Sequence, residues 1–110
     1  MTHATGMTLT FAVLSVLALA ANAHYGFDKD AGGYSDKFYP SKQGLHALAA
    51  FSLCILAVAI GVPLWWALAI TIADGVAFEF TQGYVNLHDI AADAVGALLA
   101  VGLHLALAAL

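Results

Sequence analysis

Long apolar runs alternate with short polar stretches along this chain, and the pattern predicts the architecture. Residues 7–23, 45–61, 64–80 and 90–110 are almost wholly apolar. At 1.5 Å of rise per helical residue, each run approaches the roughly 20 residues that cross a hydrocarbon core about 30 Å thick. We read four transmembrane helices. The second and third are separated only by Gly61-Val62-Pro63, where glycine ends one helix and proline suits the start of the next, so they form a tight hairpin. Trp65 and Trp66 follow at once, at the depth where amphipathic rings favour the headgroup boundary. They mark one membrane face. Hairpin geometry then puts the polar stretches 24–44 and 81–89 together on the other.

Composition reinforces that reading. Hydrophobic residues make up 63% of the 110-residue chain and charged residues 9%, against roughly 25% charged in soluble domains. Mean hydropathy is +0.90. A soluble domain this short leaves about 40% of its unfolded surface exposed, which three lysines and seven acids cannot cover. The expected fold class is therefore all-α: an integral membrane bundle of four helices forming a single domain over 1–110, with 24–44 as a polar, aromatic loop. With a net charge of −4 and no arginine, the basic footprint that nucleic acid requires is missing. The single cysteine, Cys54, allows no intrachain disulfide and sits among aliphatic residues as a small buried hydrophobe.

Two motif-like stretches carry less than they suggest. Ala21-Asn22-Ala23 after an apolar run resembles a signal-peptidase site, but no basic residue precedes the run, so it is counted as a span or an uncleaved anchor. The stretch from Asp28 to Tyr39 has glycine at the sixth place of a calcium loop, yet Gly32 and Tyr39 occupy two places that need oxygen ligands. It reads as a solvated turn. Lys29, Lys37 and Lys42 all fall in the first polar loop, which the positive-inside rule would make cytoplasmic; a signal anchor would give the opposite orientation.

Ionisable residues inside apolar spans are expensive and mark functional positions. Lys42 and His46 lie four apart, on one face of the second helix. In the third, Asp74, Gly75, Phe78, Glu79 and Gln82 spread over an arc of about 140°. In the fourth, Asp89 and Asp93 are four apart, while Ala92, Gly96 and Ala100 make two small-xxx-small steps that allow close helix approach. Lys42, His46, Asp74, Glu79, Gln82, His88, Asp89 and Asp93 form the expected intramembrane polar cluster. A polar lock between helices accounts for it without chemistry. No metal site is assigned: histidines and acids are present, but no Glu-x-x-His or HExxH spacing is. No cofactor is expected either; a cation in the cluster, or a tetrapyrrole on an axial His46, His88 or His104, is the exception to be tested. Ser52 and Cys54 lack a base at triad-like spacing, so no catalytic residue is assigned.

Glu79-Phe80-Thr81-Gln82, a short loop, and Asp89-Ile90-Ala91-Ala92-Asp93-Ala94-Val95-Gly96 together resemble the VanZ-like membrane family. In that family Glu-x-x-Gln ends one helix and an Asp, a polar residue and a Gly open the next. Lys42-Gln43-Gly44-Leu45-His46 is similar to the Lys-x-x-x-His that opens the helix before the hairpin. The resemblance covers residues 42–103 as a VanZ-like core. The loop arginine of the family is absent here, and Asp93 stands where the glycopeptide-resistance members carry Asn. The resemblance implies a multi-pass protein of the bacterial inner membrane with an envelope role. Two functions are expected. One is a non-enzymatic accessory subunit in contact with lipid and other membrane subunits, in an assembly of photosynthetic reaction-centre and antenna or respiratory type. The other is a VanZ-type envelope protein acting on or shielding a lipid-linked or peptidoglycan component, as in glycopeptide resistance.

Overall fold

The computed structural model describes residues 3–28, 33–34, 42–81 and 87–110, with side chains described over 5–21, 44–81 and 87–110. Four helices account for nearly all of it: α1 (His3–Gly26), α2 (Lys42–Ala59), α3 (Leu64–Thr81) and α4 (Leu87–Ala108). Between α1 and α2, a minimal antiparallel ladder pairs β1 (Phe27–Asp28) with β2 (Gly33–Tyr34), Phe27 opposite Tyr34 and Asp28 opposite Gly33. The chain expected as plain loop over 24–44 thus gives its first residues to α1 and folds back on itself after them. The greater part of the Asp28 to Tyr39 stretch lies outside the described residues.

The α2–α3 hairpin shows how local chemistry sets a helix end. Gly61 takes φ 105°, its N–H donates to the carbonyl of Val58 at 3.1 Å, and the Val62 N–H donates to that of Ala57 at 3.0 Å. These are the two bonds of a Schellman cap, which uses the last carbonyls of α2 where no further turn can. Pro63 then precedes the first residue of α3 and its carbonyl accepts from Ala67 at 2.9 Å. Proline has no N–H to leave unsatisfied there. Its place is one residue earlier than a first-turn position, with the same effect on the chain.

α2 packs against all three other helices, most extensively against α4. The reason is glycine. A Cβ placed on Gly96 would overlap the Ala47 backbone, with the carbonyl carbon at 2.8 Å and Cα at 3.0 Å, so the two helices meet backbone to backbone. Around this contact Cys54, Ile55, Ala67, Ala97, Ala100 and Val101 form the core. Small residues dominate it, as where helices are held by close van der Waals approach. α3 and α4 are each long and apolar enough to cross a membrane, at 18 and 22 residues, and the apolar stretches of α1 and α2, Thr5–Ala21 and Gly44–Ala59, are shorter.

Because nothing lies within 4 Å of a Cβ on Gly61, replacing it should cost backbone strain alone. Gly61→Ala is expected to destabilise the bundle by about 1–3 kcal/mol, read by circular dichroism in a denaturing-detergent titration. Gly102→Ala, in open space within α4, should cause no loss. Equal effects from the two would show that the turn is not held by the positive φ.

Candidate functional site

Three helices deliver side chains to one place. His46 lies one turn into α2; Gly75 and Glu79, four apart, share a face of α3; Asp89 and Asp93, four apart, share a face of α4. The His46 ring lies between the two aspartates: Nδ1 is hydrogen-bonded to Asp93 Oδ1 at 3.2 Å, and Nε2 stands 3.4 Å from Asp89 Oδ2. Asp89 and Glu79 are fully buried and Asp93 nearly so. The Phe78 ring, tilted 59° to the imidazole with centroids 6.3 Å apart, flanks the histidine.

Room for this arrangement comes from a missing side chain. A Cβ on Gly75 would meet the Asp93 carboxyl, with its Cγ at 3.0 Å and Cβ at 3.2 Å. Gly75 therefore seats Asp93 against α3 while His46 holds it from α2. His46, Glu79 and Asp89 each present one ligand atom, and the three atoms lie within 4.8 Å of one another.

Of the residues expected in the polar cluster, His46, Glu79, Asp89 and Asp93 come together. Asp74 does not: it is exposed on α3 and no hydrogen bond or ion pair joins it to the others among the described residues. The 100° per residue of a helix separates it from Gly75, which faces inward. His88, the second residue of α4, is exposed. Lys42 begins α2, and its side chain and the whole of Gln82 lie outside the described residues. On α4, Gly96 and Ala100 are buried and Ala92 is half-buried.

A second polar contact stands apart from the first. His104 Nδ1 and the buried Thr8 Oγ1 are hydrogen-bonded at 3.1 Å, linking α1 to α4. The chain matches no family model, no curated protein and no solved structure.

Two substitutions test this geometry. Asp93→Asn keeps an acceptor for His46 Nδ1 and should leave stability within about 1 kcal/mol, whereas Asp93→Leu removes it and should cost about 1–3 kcal/mol, by thermal melting in detergent. Similar melting of both variants would mean that the bond to His46 does not hold the helices. Thr8→Val should cost about 0.6 kcal/mol, and no more than about 1.7, the range for interhelical hydrogen bonds in membranes; no change would mean that α1 docks by packing alone.

Proposed function

We propose that this chain is a four-helix, multi-pass protein of the bacterial inner membrane that serves as a non-enzymatic accessory subunit of a larger membrane assembly. The observation that carries the membrane reading is an inverted distribution of polarity. Large apolar side chains such as Leu17, Leu56, Ile70, Phe80, Val95 and Leu99 are exposed, while Glu79, Asp89 and Asp93 are buried. Exposed apolar surface on this scale is uncharacteristic of a soluble monomer, and inward-facing ionisable groups are what a bilayer imposes. The apolar windows of α3 and α4 are only 17% and 33% buried, which sets them apart from the core helices of soluble proteins.

Asp74 supports the subunit reading. It is exposed ten residues into α3, about 15 Å from the helix start and so at mid-depth. An aspartate at the bilayer centre costs about 2.5–3.5 kcal/mol. Beside it Ala69, Ala73 and Ala77 are also exposed, a small-residue stripe on which another helix can approach closely. A donor from a neighbouring subunit would relieve the carboxyl. The envelope alternative, a VanZ-type protein acting on or shielding a lipid-linked or peptidoglycan component, draws on a different observation: His46, Glu79, Asp89 and Asp93, positions within the 42–103 resemblance, converge on one buried site.

Native purification through a mild C-terminal tag, followed by mass spectrometry, separates the two. Stoichiometric partner subunits are expected, and Asp74→Leu should release them without lowering the stability of the isolated chain. A lone monomer in mild detergent would contradict the subunit reading. Altered glycopeptide susceptibility on deletion, reproduced by Glu79→Gln, would then favour the envelope alternative. Cysteine labelling tests the topology, which requires positions near 30 and 84 to react from one side and position 62 from the other.

A further inference from the structure

The arrangement around His46 has the parts of a metal site, independently of whether the chain is a subunit. Imidazoles that bind metals donate their other ring N–H to a carboxylate, which fixes the tautomer and the ring orientation. Here His46 Nδ1 and Asp93 Oδ1 stand 3.2 Å apart, the contact such a pair makes. With the N–H on Nδ1, Nε2 is left as the ligand atom, 3.4 Å from Asp89 Oδ2. Glu79 completes the set, its ligand atom within 4.8 Å of the other two.

The spacings fit an ion. Ligand bonds of about 2.0–2.2 Å hold ligand atoms about 3.3 Å apart at a tetrahedral angle and about 4.4 Å apart across the metal. Charge fits as well. Three carboxyls, those of Glu79, Asp89 and Asp93, are buried around one imidazole. Imidazole favours zinc and its first-row neighbours over calcium or magnesium, which take oxygen alone.

We infer that His46 Nε2 and the carboxylates of Glu79 and Asp89 bind one divalent first-row transition-metal ion between α2, α3 and α4, with Asp93 as the positioning residue that orients His46. The ion would join three helices at one point. Sequence spacing hides such a site, because each helix contributes only one ligand.

The test uses the full chain in mild detergent, without a polyhistidine tag, stripped with a chelator and titrated with Co²⁺ while visible absorption is followed. One equivalent should bind with ligand-field bands, and Zn²⁺ should displace it. Glu79→Gln and Asp89→Asn should each weaken binding at least tenfold with helicity retained; Asp74→Asn, away from the site, should bind as the parent does. X-ray absorption of the zinc-loaded parent should show imidazole nitrogen together with oxygen ligands, which keeps the test decisive if a variant fails to fold. Absence of stoichiometric binding, binding unchanged by Glu79→Gln, or a zinc shell without imidazole would overturn the assignment.

Discussion

The backbone contact between Gly96 of α4 and Ala47 of α2 is the constraint on which the rest depends. Only at that separation does His46, next to Ala47 in sequence, reach Asp93, one turn before Gly96, and Asp89, one turn further back. In the bilayer proposed for this chain no hydrophobic effect would drive helices together, so close packing of small residues would have to do it. A larger side chain at Gly96 would have to displace main chain, not a flexible side-chain end, and the His46 contacts would part with it. Gly75 plays the corresponding part on α3, where the absence of a side chain admits the Asp93 carboxyl.

The same geometry reconciles two properties that are contradictory in water. The outer surface is rich in exposed leucine, phenylalanine and valine, whereas the interior holds Glu79, Asp89, Asp93, Thr8 and Thr71. The two buried threonines are satisfied locally or across helices: Thr71 donates to the Ala67 carbonyl at 2.8 Å, and Thr8 meets His104 at 3.1 Å. The carboxyls are gathered around one imidazole. Removing one member of a buried charged set typically costs more than the set contributes, so the cluster constrains which helices can be neighbours as much as it stabilises them.

Much of this was legible in the sequence, and the reasons are local. Four apolar runs predicted the four helices, because helix length and hydropathy are read from consecutive residues. Gly61 and Pro63 announced the hairpin, because capping depends on a few neighbouring residues. His46, Glu79, Asp89 and Asp93 stood out as ionisable groups in apolar surroundings. What periodicity could not decide was direction. Asp74 and Gly75 are adjacent and fell within one polar arc, but only packing shows that Gly75 turns inward under Asp93 while Asp74 turns out. The role of Ala47 was invisible, since an alanine among alanines carries no signal until another backbone rests on it. Thr8 was equally silent, because it is one of several hydroxyl residues in α1 and its partner lies 96 residues away.

Whether α2 and α4 are joined through His46 and Asp93 is tested most directly by a double-mutant cycle. His46→Gln, Asp93→Leu and the double variant would be compared with the parent by unfolding in lipid-detergent mixed micelles. A coupling energy of about 1 kcal/mol, the net scale of an intramolecular hydrogen bond, is the predicted result. Additive effects, with coupling near zero, would show that the two side chains do not interact and would contradict the account of how these helices meet.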